Sequence, residues 1–203
     1  MSDVIYRYDG SFDGLMCCVF ESYSAKEQPV EVFSDADSRI SLLPEKVIKT
    51  EPQKAARVTA AISQKMGAQA LVFTQHAFLT CHPEKDRLII CFVRLGFEHG
   101  SVVISMLSDD VVNTLAKAVG HLQKEAHLLR GFIRFSEFDG ALAAKIDPKN
   151  CVLPLIANHF CDRYREENFI IYDETNNLAL TYASHRAEII PVENFQLPAA
   201  SEQ

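Results

Sequence analysis

Much of the usual catalytic and cofactor vocabulary is missing from this chain. Its six cysteines (17, 18, 81, 91, 151 and 161) form no Cys-x-x-Cys, so neither a zinc ribbon nor a radical-SAM iron–sulfur cluster can be read from them. There is no Gly-x-Ser-x-Gly elbow to expose a nucleophile and no glycine-rich phosphate loop of either common type. The pairs His76/His82 and His121/His127 are spaced by six residues, which does not set two imidazoles on one helix face. No uninterrupted apolar run approaches the roughly 18 residues a membrane span needs, and the opening Met-Ser-Asp-Val-Ile-Tyr-Arg-Tyr has no basic segment followed by an apolar one. The expectation is a cytoplasmic protein with reduced thiols, no cofactor, no metal and no membrane partner.

What is present is ordinary in bulk and uneven in detail. Apolar residues make up 48% and charged residues 23% of 203, enough for a real core and too apolar for a disordered chain. Formal charge is −7, which as a whole repels nucleic acid. The segment from His127 to Arg165 nevertheless carries six Lys/Arg against four Asp/Glu, while the stretch after it carries one against seven. The most basic segment therefore holds the least usual motif, and local potential is what an anionic ligand meets.

Periodicity places the elements. Val4 to Tyr8 alternates as a short strand, and Ser11 can cap a helix with Phe12, Leu15, Met16, Val19, Phe20 and Tyr23 on one side. Val30 to Phe33 and Lys46 to Ile48 are short extended pieces. Thr50-Glu51-Pro52-Gln53 has the form of a capping box opening a helix that Gly67 stops. Ala68 to Thr80 and Glu84 to Phe97 read as two more helices. Ser108 to Arg130 is the longest, with Val112, Leu115, Val119, Leu122, Ala126 and Leu129 on one stripe and Gly131 at its end. The pattern then turns to period two: Phe132 to Phe138, Ala141 to Ile146, Phe169 to Asp173, Leu178 to Ala183 and Ala187 to Val192 read as strands. Asp139-Gly140 and Asn176-Asn177 mark tight turns, Val152 to Tyr164 reads as a helix, and the tail after Phe195 as mobile. The expected class is α+β: one compact domain over 1–203, mainly helical over 1–130, with an antiparallel sheet and one helix over 131–195.

Two stretches could hold something flat and anionic. The first is His127-Leu128-Leu129-Arg130-Gly131-Phe132-Ile133-Arg134-Phe135, where a helix gives way to a strand. Guanidinium forks match phosphate oxygens, and of two aromatics alternating in a strand one enters the core while the other is open to stack on a base. The second runs from Asn158 to Arg165, with His159 and Arg163 one helical turn apart, followed by Asp173 at the end of an apolar strand. Asp173 could orient either arginine or act as a general base. Each of these residues also has a plain structural reading. Arg130 and His127 suit the negative end of a helix, and Arg134 could pair with Glu137 or Asp173.

The run from Tyr8 to Tyr23, the His127 to Phe135 motif, Ile146-Asp147-Pro148 with Val152-Leu153-Pro154-Leu155, and His159-Phe160 with Arg163 resemble the bacterial "probable DNA metabolism protein" family. The resemblance spans nearly the whole chain. It implies a domain of unknown function that works as an accessory or chaperone of a DNA modification or repair radical SAM protein encoded nearby, in contact with single-stranded or damaged DNA. It also implies a shared site of His127, Arg130, Phe132, Arg134, Phe135, His159, Arg163 and Asp173. One departure stands out: the arginine that the family carries about three residues after the Ile-Tyr-Asp strand is absent from Asp173-Glu174-Thr175-Asn176-Asn177, which leaves Arg186 to supply it. Two other readings stay open, an enzyme acting on a nucleic acid base or nucleotide with Asp173 or His159 as acid or base, and a purely structural or interaction protein. The sequence does not fix the oligomeric state.

Overall fold

A computed structural model describes residues 4–39, 41–138 and 140–192. The chain forms two compact units. The first takes the chain up to Phe78 and again His82–Val119; the second takes Leu79–Cys81 and the chain from Gly120 onward.

The first unit begins with strand β1 (Ile5–Tyr8), helix α1 (Phe12–Ser24) and strand β2 (Glu31–Ser34). The Ser11 hydroxyl accepts the Gly14 N–H at 2.9 Å, so the expected cap starts α1. β3 (Glu45–Val47) returns to the other side of β1, giving a parallel sheet in the order β2-β1-β3. The short extended pieces of the sequence are thus the flanking strands of a sheet inside a region read as mainly helical. Helix α2 (Pro52–Met66) begins at its proline, but without the capping box, because the Thr50 hydroxyl donates to Asp9 Oδ2 instead. Gly67 ends it at φ 89°, a conformation that suits glycine.

Helices α3 (Ala68–Phe78) and α4 (Lys85–His99) follow, then a 3₁₀ turn over Gly100–Ser105. Lys85–Ser105 is long and apolar enough to span a membrane by length and composition alone. Its Leu88, Ile89, Ile90, Phe92, Val93 and Val103 instead pack with Leu15, Met16, Val58, Ile62 and Met66 in one core. Gly96 lies so close to Met66 that a Cβ there would stand 2.0 Å from Met66 Cε.

Helix α5 (Asp110–Phe132) passes from the first unit into the second. It does not stop at Gly131. The Ile133 N–H still donates to Leu129 O at 3.0 Å, and Gly131 is not among the glycines with positive φ, so it keeps a helical conformation. Phe132 is accordingly the last helical residue, and the strand read from Phe132 to Phe138 shrinks to β4 (Ser136–Phe138).

In the second unit β4, β5 (Ala141–Ile146), β6 (Phe169–Asp173), β7 (Leu178–Ala183) and β8 (Arg186–Pro191) form one sheet in chain order. It is mixed, which corrects the antiparallel expectation. Helix α6 (Leu153–Arg163) joins β5 to β6, and a crossover of that length returns the chain parallel. The remaining pairs are antiparallel. Ser184 and His185, at φ 50° and 60°, form the two-residue turn between β7 and β8. Leu122 and Ala126 of α5, Val152 to Phe160 around α6 and the inward residues of β5, β6 and β7 close a second core. The class is α+β. The turn at Asp139 and the tail after Phe195 lie outside the described residues.

Candidate functional site

The C-terminal half of α5 divides cleanly around its axis. At about 100° per residue, Leu122 and Ala126 face the core with Arg130 one turn further along the edge of that stripe, and the opposite arc carries Gly120, His121, Gln123, Lys124, His127, Leu128, Gly131 and Phe132. Leu128 is 56% and Phe132 70% exposed, large values for apolar side chains. Gly120 lacks a side chain where Gln123, Lys124, His127 and Leu128 stand, and these five line an open groove. From 120 to 134 the only acid is Glu125, whose carboxylate is turned to the backbone N–H groups of Lys149 and Asn150. The outward arc is therefore cationic, with two apolar groups beside the positive charge.

Arg130 and Arg134 also have structural work. Arg130 Nη2 donates to Leu155 O at 2.6 Å, joining the end of α5 to the start of α6. Arg134 Nη1 donates to the carbonyls of Gly131 and Ile133, at 3.2 and 3.4 Å, which places a cation at the negative helix end. It makes no ion pair with Glu137 or Asp173 among the described residues, and both guanidinium-bearing side chains stay exposed.

Phe135, by contrast, belongs to the second core. Its ring lies 5.7 Å from Phe160, 5.0 Å from Tyr164 and 5.9 Å from Phe169, each edge to face. Phe169 stacks in turn on Tyr182 at 5.0 Å. His159 meets Phe160 edge-on at 5.0 Å, and its Nε2 is buried with no hydrogen-bond partner among the described residues. Arg163 is exposed, its guanidinium 5.6 Å from the centre of the Tyr164 ring.

Asp173 sits apart from both. It ends β6 four residues after Phe169, about 13 Å along the strand from the aromatic cluster. Its fully buried carboxylate accepts the Asn176 N–H at 3.0 Å and Asn176 Nδ2 at 2.8 Å. Burial pushes its pKa up, and the bonds from Asn176 and Thr175 oppose this without cancelling it. The β6–β7 turn is thus folded around Asp173, as Asn177 at φ 51° confirms. Nearby, Asn150 is buried and pinned by Glu125 through its N–H and Nδ2, and Thr175 donates to Asp147. Glu125 and Asn150 were not singled out in the sequence, and Asn176 was read only as part of a tight turn. A polar residue at the end of an apolar strand or beside a proline turn was the one available signal.

The eight expected residues therefore occupy three places: His127, Arg130, Phe132 and Arg134 at the α5 surface, Phe135, His159 and Arg163 in and around the aromatic cluster, and Asp173 in the turn network. Among the described residues Asp173 and His159 form no acid–base pair with Arg130, Arg134 or Arg163.

The first unit carries its own polar cluster at the carboxyl ends of β1 and β3. Asp9 Oδ1 accepts the Ser11 N–H and hydroxyl, and Oδ2 accepts the Thr50 hydroxyl. Burial pushes Asp9 up, but the bonds from Thr50 and Ser11 outweigh it and hold the carboxyl below its usual value. A Cβ at Gly14 would stand 2.2 Å from Asp9 Oδ1 and 2.9 Å from Thr50 Oγ1, so the clasp requires glycine there. Asp86, at the start of α4, is raised by burial, and its Oδ1 is buried without a partner among the described residues. Among the described residues no three His, Cys, Asp or Glu side chains group so as to hold a metal ion.

No curated protein and no solved structure matches the chain. A family model does, over residues 83–199, more than half of the chain: the protein belongs to DUF4130, a family described as a domain of unknown function.

Proposed function

We propose that the protein is a non-catalytic, cytoplasmic accessory of DNA modification or repair, working beside a radical SAM enzyme and contacting single-stranded or damaged DNA through the outward face of α5. The observation that carries this is the outward arc of α5, where Lys124 and His127 stand beside the exposed Leu128 and Phe132, Arg130 and Arg134 lie at its edge and end, and the carboxylate of Glu125 is taken up by the backbone of Lys149 and Asn150. A cationic surface with an exposed aromatic suits the backbone and an unstacked base of a single strand. The narrow basic strip on a chain of net charge −7 does not suit the long backbone track of a duplex. The radical SAM partner comes from the family resemblance.

The test is co-expression with that enzyme and affinity capture, with and without nuclease, for wild type and for Phe132→Ala and Arg134→Ala. Nuclease-resistant capture that these variants weaken supports the accessory reading. Failure of the folded wild type to capture the enzyme would remove the partnership and leave the nucleic-acid contact to be judged alone.

A further inference from the structure

Four glycines lie inside α-helices among the described residues, and packing accounts for two of them. A Cβ at Gly14 would strike Asp9 Oδ1, and one at Gly96 would strike Met66. Gly120 and Gly131 of α5 are different. A Cβ at either would meet nothing within 4 Å, and neither residue has a positive φ. Glycine inside a helix is less stable than alanine, so both positions carry a cost that the packing of the chain itself does not explain. They are eleven residues apart, a separation that returns a helix to within about 20° of the same side. That side is the outward arc.

Gly120 floors the groove whose walls are Gln123, Lys124, His127 and Leu128. Lys124 and His127 are exposed and make no hydrogen bond or ion pair among the described residues. Leu128, 56% exposed, adds a hydrocarbon wall. The groove therefore offers bare helix backbone on its floor, uncommitted cationic groups on one side and an apolar surface on the other. A nucleotide unit has the matching parts, an anionic phosphate for Lys124 and the carbon face of a sugar for Leu128. Any side chain at position 120 would hold that unit away from the helix.

Resting on the reading of α5 as a single-strand surface, we propose that the Gly120 groove seats one nucleotide of that strand, its phosphate at Lys124 beside His127 and its sugar against Leu128 and the bare backbone of Gly120. Phe132 is a separate contact, twelve residues and about 18 Å further along the helix. At about 3.4 Å per stacked nucleotide, a strand of about five nucleotides spans the two. Gly120 is thus a determinant of binding rather than of folding.

The experiment follows a fluorescein-labelled thymidine decanucleotide by anisotropy over a salt series, with the full-length protein as wild type, Gly120→Ala, Gly120→Leu and Phe132→Ala, and records the thermal unfolding of each. Both Gly120 variants should fold and melt no lower than wild type, with a gain of about 2–4 °C from the better helix former. Gly120→Leu should nevertheless bind about tenfold more weakly or worse, with a salt slope flatter by about one phosphate contact, and Gly120→Ala should lose less. Binding that Phe132→Ala weakens and Gly120→Leu leaves unchanged would overturn the proposal and keep the α5 surface, whereas a wild type that binds no strand would remove both. Unchanged strand binding by Gly120→Leu together with lost capture of the radical SAM enzyme would also overturn it, and would give the groove to a protein.

Discussion

Phe132 and Phe135 lie three residues apart, and alanine at each should have opposite consequences. Phe135 is half-buried with three rings around it at 5.0–5.9 Å. Full burial of a phenylalanine makes its truncation cost about 3–5 kcal/mol. Half of that gives a loss of about 1.5–2.5 kcal/mol for Phe135→Ala. Phe132 is 70% exposed and ends a helix, so Phe132→Ala should stay within about 0.5 kcal/mol of wild type. Urea unfolding followed by circular dichroism reads the difference. With a slope of about 2 kcal/mol per molar urea, Phe135→Ala lowers the midpoint by about 1 M and Phe132→Ala leaves it in place. Equal destabilisation by the two changes would refute the division of this motif into a core ring and a surface ring.

Three further outcomes follow from the same contacts. Glu125→Ala leaves the N–H groups of Lys149 and Asn150 without their carboxylate and should cost about 2–4 kcal/mol in the same assay, while Lys124→Ala one position away should cost almost nothing. Burial raises the Asp86 pKa, so the folded state holds its proton to higher pH than the unfolded chain; wild-type stability is then lost as pH rises through the folded value, and Asp86→Asn should gain on wild type over that window in a pH series of melting temperatures, a constant difference being the contrary result. Residues 83–203 alone should show no cooperative unfolding in calorimetry, because α4 packs in one core with Leu15, Met16, Val58, Ile62 and Met66, all outside the family match.

The strands and helices of this chain were legible where local chemistry decides. Ser11 before an amphipathic run marked the start of α1, and the apolar stripe from Val112 to Ala126 marked the buried face of α5. Misreadings came where a tertiary partner decides. Gly131 could have ended α5, yet the helix continues one residue further, and this moves Phe132 from a strand to the outward helix face. Thr50 has the letter of a capping box and gives its hydroxyl to Asp9, a residue distant in sequence. Parallel pairing of β5 with β6 was signalled by the helix between them, since two-residue turns make antiparallel neighbours and helical crossovers make parallel ones. The candidate site was visible as a set of residue types and not as a set of positions. Arg, His and aromatic side chains in one motif gave no sign of which ring turns inward, nor that Asp173, read at the end of its strand, is bonded there to Asn176.

The most direct test of the α5 surface is the binding of a fluorescein-labelled single-stranded oligonucleotide, followed by anisotropy across a salt series. Wild type should bind with an affinity that falls as salt rises, Lys124→Ala and Arg134→Ala should each flatten that slope by about one phosphate contact, and Phe132→Ala should weaken binding by roughly 5- to 150-fold while leaving the slope unchanged. Wild-type binding that is absent at low salt, or that all three changes leave untouched, would contradict the assignment of this face to nucleic acid.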